Sequence, residues 1–338
     1  MEFLAHYKAR HGYTLKDRLV GGLPDYSAKA SAVPWLLNLR DTLPGAAWLS
    51  EKLVGFSSRR SLPRWRSDTF WRAFDRALFD GAEKTLSAAA SHGKAAVLFV
   101  DTFNGTFESE NALAAARVLK AAGYTLHTIT KRRGHYCCGR TYLSRGMVPQ
   151  ARAKALELVE ALLPFARAGV AVVGLEPSCL LTLRDEALVL GLGEAAEAVS
   201  KQALLFEEFV AGEVKAGRFA AKFNPVDAPI LLHGHCHQKA FGAVDPILDV
   251  LRLIPGARAE LIESSCCGMA GAFGYESGHY DISMQMAEVS LLPAVRKVPN
   301  AIVVADGISC RHQIHDGAQR EALHVARLLE RQLALTPA

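Results

Sequence analysis

Residues 94–139 read KAAVLFVDTFNGTFESENALAAARVLKAAGYTLHTITKRRGHYCCG. The apolar run KAAVLFVDTF has the length of a buried strand. ESENALAAARVLKAAG has helical spacing and a terminal glycine, and YTLHTIT is a second strand. The order returns at 228–268, where APILLHGHC, VDPILDVLRLIPG and RAELIES lead to another CCG, a register of 129 residues (137 to 266). After each CCG comes a longer helical stretch, ARAKALELVEALLPFARAG or SMQMAEVSLLPAVRKV. A third strand follows, VAVVGLEP or NAIVVAD, and then a cysteine, Cys179 or Cys310, opens a further helix. Strands alternating with helices of this length predict an α/β fold: two tandem, small, doubly wound parallel-sheet (Rossmann-like) repeats with right-handed crossovers. The expected segments are a mostly helical lead-in over 1–90, repeat one over 91–195, a helical connector over 196–225 and repeat two over 226–338.

A chain of 338 residues, half of them apolar, is long enough to bury sizeable cores without covalent staples. Seven cysteines is an odd number, and no positively charged start leads into an apolar run. A secreted disulfide framework is therefore not expected, and the predicted location is cytoplasmic. The longest apolar stretch, around AAVLFV at 95–100, falls far below the ~18 residues that cross a bilayer. Of the formal charge of +5, residues 1–76 carry +6, from thirteen Lys and Arg against seven Asp and Glu. Trp35, Trp48, Trp65 and Trp71 lie in the same segment. Such a lead-in suits an anionic membrane surface, a protein domain, or a helical layer whose aromatics pack inward while its arginines face water. No nucleic-acid-binding motif accompanies it, so nucleic acid is not an expected partner.

In an open parallel sheet, ligands gather beyond the carboxyl ends of the strands. All seven cysteines map there: Cys236, Cys266, Cys267 and Cys310 in repeat two, and Cys137, Cys138 and Cys179 in repeat one, where Asp101 occupies the place of Cys236. Core packing does not account for that coincidence, and a single catalytic thiol leaves the second member of each pair unused. Metal ligation uses them all. Structural zinc sites recruit pairs as C-x₂₋₄-C, whereas adjacent cysteines more readily reach two irons of a multinuclear cluster, with Gly268 letting backbone amides approach the sulfides. This favours iron–sulfur, with zinc as the alternative. His233, His235 and His237 flank Cys236 and face differently on an extended segment; His235 or His237 suits a hydrogen bond to the cofactor or a proton relay.

LHGHC, SSCCGMAG and GISC, with the earlier DTFN, HYCCG and PSC, resemble the cysteine-rich CCG domain. That domain is repeated in one of the heterodisulfide reductase subunits and in the iron–sulfur subunits of anaerobic glycerol-3-phosphate dehydrogenase and glycolate oxidase. EFLAHYKARHG, GAAWL and FSSRRSLPRWR in the lead-in are similar to the carboxyl-terminal region of fused FAD-linked, iron–sulfur dehydrogenases acting on D-2-hydroxy acids. The family pattern is C, then CCG, then CxxC, and a full set holds a noncubane cluster on five cysteines. Here Glu176 and Gly307 replace the first cysteine of each CxxC. Repeat two thus retains four ligands, enough for an ordinary 4Fe-4S cluster or a zinc. Repeat one retains three and needs Asp101, His135 or an outside ligand.

The resemblance implies an electron-transfer module of a flavin-dependent oxidoreductase, partnered by flavoprotein and ferredoxin-type domains or subunits. No ferredoxin run, G-x-G-x-x-G or P-loop is present in the sequence, so FAD would belong to a partner or a missing region, and no catalytic residue is named. The rivals are a thiol-disulfide reductase of heterodisulfide type and a zinc-bound or metal-free interaction scaffold.

Overall fold

The structure, a computed structural model, describes residues 2–73, 78–79, 94–132 and 134–334. Its strands are β1 (Ala95–Phe99), β2 (Thr125–Thr128), β3 (Ala171–Gly174), β4 (Ala203–Leu205), β5 (Pro229–Leu232), β6 (Arg258–Leu261), β7 (Ile302–Val304) and β8 (Ala322–Leu323). They form two four-stranded sheets in the orders β2-β1-β3-β4 and β6-β5-β7-β8, with every pairing parallel. The α/β reading is correct, and the two copies of the repeat build the same topology. Val97 faces His127 on one side and Val172 on the other; Leu231 faces Glu260 and Val303. The first strand of each repeat is therefore interior, and the order of strand addition reverses between it and the third. That switch point opens a crevice at the strand ends.

Two strands lie where the sequence reads as continuous helix. Within 196–225, helices Glu194–Gln202 and Phe206–Lys215 flank β4, which pairs with β3. Near the carboxyl end, β8 separates Ile308–Ala318 from Val325–Arg331 after Gln319 takes a left-handed conformation (φ 52°). Strands of two or three residues are too short to show a period of their own. SMQMAEVSLLPAVRKV also divides, into Tyr280–Glu288 and Leu291–Lys297, with Pro293 in the first turn of the second helix, where its missing N–H costs nothing.

One hydrophobic core runs through both repeats. Helix Ser109–Ala121, after β1, packs on Val325–Arg331, after β8; helix Asp245–Leu251, after β5, packs on Phe206–Lys215, after β4. This reciprocal arrangement buries Leu119, Val210, Val250 and Leu329 completely. Polar links cross the same boundary: Arg311 pairs with Glu108, and His324 Nε2 is 3.1 Å from the Leu175 carbonyl.

The lead-in is helical over Glu2–His11, Leu15–Gly21, Leu23–Ala30, Pro34–Thr42 and Ala46–Val54. The boundary expected at residue 90 lies outside the described residues. Its aromatics divide. Trp65 packs edge-on against Phe107, and Trp71 stacks on His135 at 4.4 Å and fills the space above Gly105, where a Cβ would meet the ring at 1.9 Å. Trp35 and Trp48 are 67 % and 59 % exposed. The arginines depart from the picture of a solvated face, because Arg60 is buried against Asp316, Ser283 and Met284 of repeat two. Ser57 N donates to the Tyr275 carbonyl (2.7 Å), Ser277 N to that of Gly55 (3.0 Å), and Lys16 pairs with Glu276. The lead-in is thus bound onto the strand-end crevice.

Candidate metal centre

β5 ends one residue before His233, whose backbone N–H donates to the Val304 carbonyl at 2.8 Å. Cys236 opens the helix Cys236–Ala240, Cys266 and Cys267 lie in the loop after β6, and Cys310 lies in the first turn of Ile308–Ala318. The fold brings these three loops together. Cys267 and Cys310 sulfurs are 3.5 Å apart, Cys266 hydrogen-bonds both Cys236 and Cys267, and Cys310 also contacts His233. One ring nitrogen of His233 and the sulfurs of Cys267 and Cys310 lie within 4.8 Å of one another, all three residues being buried. Cys236 and Cys266 are only half-buried. Lys239 holds the CCG loop in place from the neighbouring helix, donating to the Ser264 carbonyl and, at 3.0 Å, to that of Ser265.

The electrostatics favour thiolate at alternate positions. Hydrogen bonds from Cys236 and Cys267 and the amide of Gly268 hold the Cys266 thiol far below its ordinary range. The bond to Cys267 and the adjacent His233 lower Cys310 in the same way, against the opposing effect of burial. Cys236 and Cys267, the donors, are raised. Four sulfurs of this character, with an imidazole nitrogen beside them, are the donor set a thiophilic metal or iron–sulfur group takes. The residues therefore fit such a group.

The glycine of CCG is required twice over. Gly139 and Gly268 both have φ 86°, and their N–H groups donate to the first cysteine's sulfur, Cys137 or Cys266, at 3.3 Å. A Cβ would lie 2.5 Å from the Ala151 carbonyl oxygen at the first site and 2.2 Å from that of Ser283 at the second. The loop presses against the helix that follows it in both repeats, a packing reason beyond amide access. Gly307, in place of a cysteine, also has a neighbour that explains it: a Cβ there would meet the His235 ring at 2.3 Å and Cys310 Sγ at 3.3 Å.

The three histidines part company. His235 caps the helix, its Nδ1 accepting from His237 N at 3.1 Å; His237 stacks on it and places Nε2 3.0 Å from Arg140 of repeat one. Burial lowers both, His237 to about 4, so each is a neutral ring. His233 turns into the sulfur cluster, a placement that the alternation of HGHCH leaves open and only the meeting of the three loops decides.

Repeat one gathers its thiols without comparable support. Cys138 hydrogen-bonds Cys137 and Cys179, and Cys137 also reaches Thr102. Cys137 is raised by its bond to Cys138 and by burial. Cys179 is pushed up to about 12: its bond to Cys138 lowers it, but burial and the nearby Asp101 and Glu176 outweigh that. The auxiliary carboxylate considered for this site is engaged elsewhere, and the auxiliary histidine is held by one ring nitrogen, its Nδ1 having no hydrogen-bond partner among the described residues. Asp101 caps its helix, accepting from Phe103 N (2.8 Å), Asn104 N (3.1 Å) and Asn104 Nδ2 (2.7 Å). His135 bonds Thr102 Oγ1 at 2.9 Å beneath Trp71. Glu176, fully buried, reaches across the repeats and accepts from Ile308 N at 2.9 Å, next to the Cys310 turn.

A cavity of about 1180 Å³ lies between the lead-in and the strand ends. Cys236, Cys266 and Cys267 form part of its floor with His235, His237 and Glu176, while Leu19, Leu23, Leu37 and Leu53 of the lead-in line the opposite side.

Residues 101–184 match the CCG family, a cysteine-rich domain. The match spans the first repeat, although the second retains the fuller set of sulfurs. Over 305 residues the chain is 25 % identical to one of the subunits of anaerobic glycerol-3-phosphate dehydrogenase from Escherichia coli (strain K12), covering 88 % of this chain and 72 % of that protein. It is also 25 % identical over 316 residues to D-2-hydroxyglutarate dehydrogenase of the same organism, covering 92 % of this chain but only 30 % of that one. A likeness to a hypothetical protein from Helicobacter pylori (TM-score 0.43, 11 % identity, 78 % of this chain and 57 % of that one) is too loose to support any argument. The chain is thus similar over most of its length to a dehydrogenase subunit and to part of a second dehydrogenase. No helix among the described residues is long and apolar enough to cross a membrane.

Proposed function

We propose that this chain is the iron–sulfur electron-transfer module of a flavin-dependent dehydrogenase that oxidises a small D-2-hydroxy acid, with Cys236, Cys266, Cys267 and Cys310 holding a 4Fe-4S cluster. The observation that carries the reading is the meeting of those four sulfurs from three loops, three of them on the floor of one cavity and Cys310 buried behind Cys267. A cluster held there supplies one-electron transfer between a flavin elsewhere and an acceptor. The protein's own part is to hold and tune it. Gly268 N donates to Cys266 Sγ, and the Met269 amide to Cys267, contacts that stabilise negative charge on sulfur and raise the reduction potential. His235 and His237, neutral and stacked, form the wall beside Cys236. Cys137, Cys138 and Cys179 are a second candidate set of ligands, disfavoured by their raised thiols and by the engagement of Asp101 as a helix cap.

The lengths compared also support partners: the chain spans 30 % of the hydroxyglutarate dehydrogenase it resembles, so flavoprotein and ferredoxin-type parts would come from elsewhere. The half-exposed Cys236 and Cys266 at a roomy apolar cavity favour a second reading, reduction of a disulfide substrate at the centre. Anaerobic purification with iron, sulfide and zinc analysis and EPR separates the alternatives. About four irons and four sulfides per chain, with a flavoprotein co-purifying, is the expected result. One zinc without iron would end the electron-transfer reading, and iron that turns over a disulfide would promote the second.

A further inference from the structure

His233 has two ring nitrogens with different surroundings. Nδ1 lies 2.9 Å from Ser264 Oγ, which itself lies 3.4 Å from the Ile262 carbonyl and receives Lys239 Nζ at 3.4 Å. With its hydrogen directed to Ile262 and a cation on its other side, the Ser264 oxygen accepts from Nδ1–H. That fixes the tautomer and leaves the lone pair on Nε2. Nε2 is fully buried and meets no oxygen or nitrogen partner among the described residues. One nitrogen of this ring lies within 4.8 Å of the sulfurs of Cys267 and Cys310, and with Nδ1 turned to Ser264 the free Nε2 is the one to assign to them. A buried imidazole lone pair with no donor but a thiol, on a ring oriented from behind by a hydroxyl, has the disposition of a metal ligand.

We propose that His233 Nε2 is a fifth protein donor to the centre, beside Cys267 and Cys310, so that the site is a mixed sulfur–nitrogen one. The assignment rests on the metal centre proposed above and goes beyond its four cysteines. His235 and His237 are not candidates for the role, since the Nδ1 of one accepts a backbone amide and the Nε2 of the other faces Arg140. Gly307 is the neighbouring place from which a further sulfur would come, and the His235 ring closes it to any side chain. A neutral imidazole at this position adds no negative charge to the ligand set, whereas a cysteine there would add one and lower the reduction potential.

The test uses the full chain, purified anaerobically with 15N-labelled histidine, reduced, and studied by pulsed EPR. A strong nitrogen coupling that survives His235→Ala and His237→Ala but vanishes in His233→Cys is the expected result. The His233→Cys protein should keep its metal and show a lower reduction potential, while His233→Ala should lose most of its metal. Should the bound metal be zinc, imidazole scattering in the zinc-edge X-ray absorption spectrum replaces the nitrogen coupling, with the same pattern across the variants. Full metal loading with no nitrogen coupling, or a spectrum unchanged in His233→Cys, would overturn the assignment and leave His233 as a hydrogen-bond partner of Cys310, with the four-cysteine reading intact. A wild-type chain that takes up no metal would overturn both.

Discussion

Glu176 is the buried residue that ties the first repeat to the Cys310 turn. Its carboxyl lies at the boundary of the repeats, bonded by Ile308 N and Ser178 Oγ, and burial, reinforced by Asp101, pushes it up to about 8. The unfolded chain ionises this group near 4.5, and the folded chain keeps the proton until about pH 8. Its contribution is therefore complete below 4.5 and is lost as pH rises through 8, a change on the order of 5 kcal/mol at most. Chemical denaturation at pH 5.5 and 8.5 should show wild type losing more stability on the alkaline side than Glu176→Gln, which retains an acceptor for Ile308; equal slopes would refute the assignment. At Gly268 the expectation is steric. Gly268→Ala forces a side chain into left-handed backbone 2.2 Å from a carbonyl oxygen, costing at least ~2 kcal/mol, and should lower both the melting temperature and the metal content.

At the scale of elements, the structure explains why the basic lead-in stays on the repeats. Ser57 N and Ser277 N exchange backbone hydrogen bonds across the boundary, and Arg60 enters repeat two beneath Tyr280, 5.2 Å from its ring centroid. Arg60→Ala removes the buried guanidinium from Asp316 and Ser283 and should destabilise the chain by ~2 kcal/mol or more. Hydrogen exchange would locate the effect: faster exchange over 46–60 with β5 and β7 unchanged is expected, whereas uniform acceleration would mean that the lead-in and repeat two unfold as one unit. The two repeats should not behave that way toward each other. Their reciprocal helix pairs share one core, so they are expected to unfold in a single transition.

For the whole molecule, the most conspicuous surface is on the lead-in hairpin, where Trp35, Leu43, Trp48 and Leu53 are each more than half exposed. Exposed apolar clusters of this kind bind something, and in isolation they bind each other. Light scattering should show the chain alone self-associating and the Trp35→Ser/Trp48→Ser variant doing so less, with metal content unchanged. A monodisperse wild type would remove the argument. Much of this architecture was legible in the sequence, because helical and strand periods alternate twice and the CCG copies lie at the same point of each alternation. That determined the parallel sheets, the repeat and the loops that carry every cysteine. The strands β4 and β8 were not legible, since two or three residues carry no period and declare themselves only by pairing with β3 and β7. Nor could local pattern decide which histidine of HGHCH turns toward the sulfurs, that Glu176 spans the repeats, or that Arg60 is buried. Those outcomes depend on the distance between groups far apart in the chain, and only the packing of one repeat and the lead-in against the other sets it.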